Sequence, residues 1–269
     1  WIPTLVVAAG LYGAVAYTRS SGTISTYWYQ VIQLATVTAI SALGLNLIYG
    51  FNGQFSLGHI GFYAVGAYGS ALITKDYQGK WSGNPVGAVS WMIAGQLGIL
   101  ATLILINKMR IGVLKRWLNE RLQGFMKPHE SWVVVSLIVL MLWAVGLAIG
   151  VVVTIGLHRV VSVGLAQAAQ ALPGGLAEQV IFAIALLNGA TMAALLAYLV
   201  GMPLLRLGSD YFGIATLGFA IMMYTALQNS DLVIATMKGA RGMVAIPRWT
   251  TWPWVFGALV FAVILMRNL

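Results

Sequence analysis

The sequence predicts an all-α, polytopic membrane protein. Of its 269 residues, 60% are hydrophobic and only 8% are charged, whereas an ordinary soluble domain is about 25% charged. The mean hydropathy is +0.87. Several stretches with almost no charge approach or exceed the roughly 20 residues that a helix needs to cross the hydrocarbon core of a bilayer. These observations argue against a soluble all-α domain.

Eight segments have the length and apolar character of membrane helices. They are Ile2–Thr18, Tyr27–Tyr49, Phe55–Thr74, Val86–Asn107, Trp132–Leu157, Gln179–Val200, 209–229 and Trp252–Met266. We therefore expect about eight transmembrane helices in a single domain that occupies residues 1–269. Because the chain opens on Trp1 and stops directly after an apolar segment, we also expect it to be truncated at both ends.

Residues 108–127 differ from their surroundings because six of them are lysine or arginine. Ile111, Leu114, Leu118 and Leu122 recur on one helical face, which predicts a basic amphipathic helix along a membrane surface. Lipid headgroups account for these charges, so nucleic acid is not an expected partner. The positive-inside tendency puts this helix, and with it the amino terminus, on the cytoplasmic side.

Counting the predicted membrane crossings from this cytoplasmic helix places two further segments on the outer side of the membrane. Residues 158–175 are polar and broken by Pro173 and three glycines, and we interpret them as an extracytoplasmic interfacial helix. The loop 229–249 is also predicted to be extracytoplasmic. Its "KGARG" run can fold tightly because Gly239 and Gly242 tolerate conformations that side chains forbid.

The run "YGFNGQFS" at residues 49–56 interrupts the apolar pattern between the second and third segments. One interpretation is a tight cytoplasmic turn. The other is a discontinuous helix that lines a substrate path, because non-helical chain survives at membrane depth only beside protein or a water-filled cavity. After the break, Gly58, Gly61, Gly66 and Gly69 share one helical face, which predicts close packing of the third helix.

The residues also indicate how the protein is driven. The sequence has no GxxxxGK[ST] motif to cradle ATP phosphates. Its acids Asp210 and Glu178 lie at helix ends, whereas an ion-driven carrier usually has ionisable residues within its spans. With no cysteines and three scattered histidines, we expect no catalytic residue, metal site or cofactor. The driving force is therefore expected to come from a partner.

Three stretches carry a resemblance to a known family: "ALGLNLIYGFNGQFSLGHIGFYAVGAYGSALI", "LRLGSDYFGIATLGFAIMM" and "TMKGARGMVAIP". They resemble the membrane permease of branched-chain amino acid ABC importers, and the "RLxxDYFxIxTLGF" pattern is most similar to its LivM-type subunit. The urea permease subunit is closely similar. The matches cover residues 26–74 and 197–250, and they leave 108–175 as an expected insertion. Ala220, Ile221 and Ala245 depart from the family pattern.

The resemblance implies a type II-like importer bundle with discontinuous helices, in a bacterial or archaeal cytoplasmic membrane. It implies a companion LivH-type permease, two ABC ATPases that bind ATP and Mg²⁺, and a periplasmic or lipid-anchored binding protein. The expected substrate is a branched-chain or other apolar amino acid, with urea as the alternative. A passive channel and a non-transporting membrane scaffold are the alternatives from other classes.

Two sets of site residues follow from the break and from this resemblance. The substrate path is predicted to include Asn46, Gly50, Asn52, Gly53, Gln54, Ser56, His59, Thr216 and Gly218. The gate and binding-protein docking edge is predicted to include Lys238, Gly239, Arg241 and Gly242. Arg248 adds a further positive charge to that loop.

Overall fold

The structure is a computed structural model that describes residues 2–78, 87–108, 117, 120–121, 128–171, 173–207, 209–232 and 237–268. This part of the chain is helical and contains no β-strand. Its α-helices are α1 (Ile2–Ser20), α2 (Thr26–Asn46), α3 (His59–Gln78), α4 (Gly87–Lys108), α5 (Pro128–Ala171), α6 (Gly174–Leu204), α7 (Ser209–Gln228) and α8 (Trp252–Asn268). Each overlaps one of the eight predicted membrane segments.

Within the described residues, four helical stretches are long and apolar enough to cross a membrane: Thr26–Phe51, Ala144–Gln167, Gly175–Leu204 and Tyr211–Gln228. Ser90–Ile104 and Trp252–Asn268 are apolar but shorter. An all-helical, multi-pass membrane protein is therefore confirmed. The presence of eight membrane spans and their type II-like arrangement remain predictions.

The fifth helix corrects one predicted boundary. We expected a span to end at Leu157 and a separate interfacial helix to follow at 158–175, but α5 continues through His158 to Ala171 without interruption. Its last residues, "GLAQAAQA", are rich in alanine, the strongest helix former, and this outweighs their polarity. The predicted basic helix at 108–127, apart from residues 108, 117, 120 and 121, lies outside the described residues.

The helices divide into two compact units. The first unit comprises Trp1–Ala67 and Leu196–Leu269, and the second comprises Tyr68–Leu195. Helices α3 and α6 each contribute residues to both units.

In the first unit, α2 contacts the start of α8. Near their amino-terminal ends, Gln33 Nε2 donates a hydrogen bond to the Thr250 carbonyl at 3.4 Å. The rings of Tyr29 and Trp252 lie 6.3 Å apart, and the Arg19 guanidinium lies 4.8 Å from the Tyr29 ring centre.

In the second unit, α4 and α5 form a closely packed antiparallel pair. His158 Nδ1 and Ser90 Oγ are 2.8 Å apart at one end, and Thr102 Oγ1 donates to the Gly146 carbonyl at 3.2 Å toward the other. Between them, Gly98 faces Gly150 so closely that a Cβ added at either would meet the backbone of the other helix. Small residues permit this approach, which is how helices gain contact in lipid.

Candidate functional site

The predicted break between α2 and α3 is present. After Asn46 the helix widens into a π-turn over Leu47–Phe51, and residues 52–58 then leave helical conformation. Gly53 has a φ of 67°, a left-handed conformation that favours glycine. The Gln54 N–H donates to the Ile48 carbonyl at 3.3 Å. Helix α3 begins only at His59, four residues later than the sequence predicted.

The break is fixed to α7 through the side chain of Thr216. The Leu57 N–H donates to Thr216 Oγ1 at 3.1 Å, and this hydroxyl donates in turn to the Gly213 carbonyl at 2.9 Å. Thr216 is only 2% exposed. A backbone N–H left free by the break therefore has a buried partner, as a non-helical segment in an apolar protein requires.

Glycines allow the break and the start of α3 to approach α7 closely around Thr216. A Cβ added at Gly58 would overlap the Thr216 carbonyl oxygen, and one added at Gly61 would lie 2.9 Å from Phe219 Cε1. The rings of Phe62 and Phe219 stack 4.5 Å apart. The predicted close packing is thus present at Gly58, just before α3, and at Gly61 within it, and the partner at both is α7.

Most of the predicted path residues lie in one neighbourhood but differ in exposure. Ser56 is buried, Gln54 and His59 are half-buried, and the others of the break are exposed: Asn46, Gly50, Asn52 and Gly53. Asn52 Nδ2 donates to Gln54 Oε1 at 2.9 Å. Gly218 is exposed on α7 with no atom within 4 Å of an added Cβ.

His59 departs from the ordinary behaviour expected of such a residue. A histidine beside a break most often bonds a backbone carbonyl, but His59 Nδ1 is buried and has no hydrogen-bond partner within the part of the chain that the structure describes. A buried polar atom without a partner costs about 1–3 kcal/mol. The atom is thus available for a ligand or water.

The predicted gate residues form a tight turn at the other end of α7. The Arg241 N–H donates to the Lys238 carbonyl, and Gly239 and Gly242 have φ values of 53° and 69°. A Cβ on Gly239 would lie 2.6 Å from the Gln228 carbonyl oxygen. Lys238 and Arg241 are exposed. The tight fold expected of this segment is therefore present.

The two predicted sets of residues do not converge. The break contacts α7 at Thr216, whereas the turn at 238–242 packs at Gln228, twelve residues further along. At about 1.5 Å per residue this separation is about 18 Å along the helix. The break and the turn therefore contact α7 at two separate places.

A third polar feature was not predicted from the sequence. In the second unit, Gln96 Nε2 donates to Asn188 Oδ1 at 2.7 Å, and Thr191 Oγ1 donates to Gln96 Oε1 at 2.5 Å. Asn188 Nδ2 also donates to the Gly69 carbonyl at 3.4 Å. We looked for charged residues within the membrane segments and therefore overlooked neutral amides. The available signal was Gln96 near the middle of Val86–Asn107 and Asn188 near the middle of Gln179–Val200.

These features define a multi-pass helical membrane protein with a break between two of its helices that is anchored to a third helix at the buried Thr216. Residues 27–120, which contain α2, the break, α3 and α4, match the family described as the branched-chain amino acid transport system permease component. The first block of the resemblance is thereby confirmed. The second block, 197–250, lies outside the matched range and stays an interpretation.

Two curated proteins are similar to part of the chain. The high-affinity branched-chain amino acid transport system permease protein LivM of Escherichia coli is 40% identical over 70 residues, and its counterpart in Salmonella typhimurium is equally similar. Each alignment covers 24% of this chain and 16% of the relative's own length. No solved structure matches the chain significantly.

Proposed function

We propose that the chain is a LivM-type permease subunit of an ATP-binding-cassette importer for branched-chain or other apolar amino acids. The observation that carries this proposal is the family match over residues 27–120, because it contains the break and both helices beside it. The absence of a phosphate-binding motif from the sequence is in keeping with a transport subunit that is driven by other chains.

The geometry of the break supports a translocation path over an ordinary surface turn. Thr216 lies seven residues into α7 from Ser209, about 10 Å along the helix axis. A turn at the membrane surface would instead meet the first residue or two of α7. Irregular backbone that is recessed beside a neighbouring helix is the arrangement in which transporters expose polar groups to a substrate.

In this proposal the path is lined or braced by the polar residues of the break: Asn46, Gly50, Asn52, Gly53, Gln54, Ser56 and His59. Thr216 holds the break in place, and Gly218 lies two residues further along α7. Neutral amides suit an importer, because a solute delivered by a binding protein must be held weakly enough to be released into the cell.

The proposed partners are a companion LivH-type permease, two ATPase subunits that bind ATP and Mg²⁺, and a periplasmic or lipid-anchored binding protein. The proposed location is the cytoplasmic membrane of a bacterium or archaeon. The exposed turn with Lys238, Gly239, Arg241 and Gly242 is the proposed gate and docking edge for the binding protein.

Reconstituted vesicles test the function directly. Uptake of leucine that requires ATP, both ATPase subunits and the binding protein is expected, and the same assay with urea should give no accumulation. Uptake without ATP would instead identify a passive channel, and no uptake of either solute would favour a scaffold.

The same vesicles test the path. We expect Asn52→Ala combined with Gln54→Ala to lower leucine uptake severalfold while the subunits still co-purify, because this hydrogen-bonded pair of amides lies in the non-helical part of the break. The matched control is Gln30→Ala, an exposed amide near the start of α2. Wild-type uptake by the double variant would leave the break as an ordinary turn.

A further inference from the structure

Three helix ends of the first unit meet around one arginine. Arg19 lies in the last turn of α1, and Thr26 and Tyr29 lie in the first turn of α2. Trp252, the first residue of α8, has its ring 6.3 Å from that of Tyr29. We call Arg19, Thr26, Tyr29 and Trp252 the Arg19 cluster. It lies at the opposite end of α2 from the break.

The guanidinium of Arg19 is held in place and still accessible. It lies 4.8 Å from the centre of the Tyr29 ring, and Arg19 Nη1 donates a hydrogen bond to Thr26 Oγ1 at 3.3 Å. A guanidinium carries five N–H donors in a fixed planar fork. The side chain is exposed, and its other N–H groups have no partner among the described residues. Most of its donors are therefore free for a ligand from outside the chain.

The cluster carries positive charge without an acidic residue on its own helices. None of the six acidic residues of the sequence occurs in residues 1–75 or 232–269, which contain α1, α2 and α8. Arg248 is a second exposed cation, two residues before Thr250, whose carbonyl accepts the hydrogen bond from Gln33 of α2. The charge complement of this surface is therefore an anion that the three helices do not supply.

Aromatic side chains indicate the depth of the cluster in the bilayer. Tyr17, Tyr27 and Trp28 are 71%, 67% and 60% exposed. Tyrosine and tryptophan concentrate at the level where the hydrocarbon meets the lipid headgroups. Further along α1 and α2, the exposed side chains are aliphatic, as at Leu11 and Leu34. Arg19 thus lies at the level of the lipid phosphates, above a surface that suits acyl chains.

We propose that the Arg19 cluster is a binding site for an anionic phospholipid. The planar fork of arginine fits two oxygens of a phosphate at once, and Tyr29 and Thr26 hold the guanidinium for that contact. The acyl chains run along the exposed aliphatic side chains of α1 and α2. The uncompensated positive charge selects a lipid with a net negative headgroup over a zwitterionic one. The site does not depend on which solute the protein carries.

Native mass spectrometry of the purified protein, with its co-purifying subunits, tests the proposal. The probes are dioleoyl phosphatidylglycerol and dioleoyl phosphatidylcholine, which have the same acyl chains and differ in headgroup charge. The wild type should bind phosphatidylglycerol about fivefold more tightly, the effect of one basic residue beside anionic lipid. Arg19→Gln should remove this preference. Equal affinities of the wild type for the two lipids would overturn the proposal.

Arg206→Gln is the matched control for the charge. It removes an exposed arginine from the turn after α6 and should retain the wild-type preference for phosphatidylglycerol. An equal loss of preference in Arg19→Gln and Arg206→Gln would show that overall charge attracts the lipid, and would overturn a specific site at Arg19.

Variants of Tyr29 test whether the ring positions the arginine. Tyr29→Leu keeps the charge of Arg19 and removes the ring, and it should weaken phosphatidylglycerol binding by about two- to fivefold, the value of an exposed cation–π contact. Tyr29→Phe loses the same hydroxyl but keeps the ring, and it should retain the wild-type affinity. Equal affinities of the two variants would refute the role of the ring.

Other sources of an anion predict different results. Inorganic phosphate at millimolar concentration should not displace phosphatidylglycerol, because it has no acyl chains to bury. Displacement by phosphate would identify a site for a small anion and overturn the lipid site. If Arg19→Gln leaves lipid binding unchanged but lowers stimulation by the binding protein, the cluster docks an acidic protein and the proposal is wrong.

Discussion

At the scale of single residues, the contact between the break and α7 depends on the absence of a side chain at Gly58. Its backbone lies against the Thr216 carbonyl, and Thr216 supplies the hydroxyl that accepts the Leu57 N–H. A methyl group at position 58 would push these partners apart. Gly218, two residues beyond Thr216 on α7, meets nothing within 4 Å, and this makes the two glycines a matched pair.

We predict that Gly58→Ala destabilises the protein by about 1–3 kcal/mol, the usual cost of overpacking. Gly218→Ala should be neutral or stabilise it by up to about 1 kcal/mol, because alanine is the better helix former. Thermal unfolding in detergent, followed through the ten tryptophans, measures both. Equal melting temperatures for the two variants would contradict the close approach at Gly58.

Ala245 shows how a departure from the family pattern appears in the backbone. The sequence has alanine where the family resemblance leads us to expect glycine before "IP", and the residue has a φ of 61°. A left-handed conformation costs a residue with a Cβ roughly 1–2 kcal/mol. Ala245 thus adopts a left-handed backbone conformation that glycine would adopt without this cost.

At the scale of elements, the helices that the sequence predicted are present because hydrophobic length is a local property. The break was predictable for the same reason, since Gly50, Asn52 and Gly53 follow one another. Its anchor was not, because Leu57 and Thr216 are 159 positions apart and no local pattern pairs them. The end of α5 was misjudged because polarity was given more weight than the alanines that keep it helical.

The packing of α4 on α5 gives an element-scale prediction. A Cβ at Gly150 would overlap Thr102 Oγ1 and lie 3.1 Å from the Gly98 carbonyl. We expect Gly150→Ala to destabilise the helix pair by about 1–3 kcal/mol. Gly156→Ala on the same helix, where an added Cβ meets nothing, should not. The melting temperatures report the difference, and a loss in both variants would argue against a specific contact at Gly150.

At the scale of the whole molecule, the orientation in the membrane rests on the basic segment 108–127. We predict that Lys115→Cys and Arg121→Cys, made singly in this cysteine-free chain, react with a membrane-impermeant reagent only from the cytoplasmic side. The physical reason is that loops rich in lysine and arginine stay on the cytoplasmic side of the membrane. Thr23→Cys, in the turn after α1, is the opposite-side control. Labelling of the basic segment from outside would invert the topology.

The cationic turn after α7 gives the second prediction at this scale. Charges of this kind act mainly on association rate, and salt screens them. Lys238→Gln with Arg241→Gln should raise the binding-protein concentration needed for half-maximal ATPase stimulation and remove its salt dependence, while basal ATPase activity persists. Arg19→Gln, which neutralises an exposed cation in the last turn of α1, is the control. Unchanged stimulation in the double variant would exclude docking there.

The length of α5 has a practical consequence. Its 44 residues extend about 66 Å at 1.5 Å per residue, about twice the roughly 30 Å thickness of a hydrocarbon core. Upright, the helix would therefore extend beyond the hydrocarbon, and its more polar end, from His158 to Ala171, is the part suited to lie outside it. An antibody fragment or a rigid fusion protein attached at that end would be held by the same continuous helix that crosses the membrane, which would make it a useful marker for aligning particles in electron microscopy.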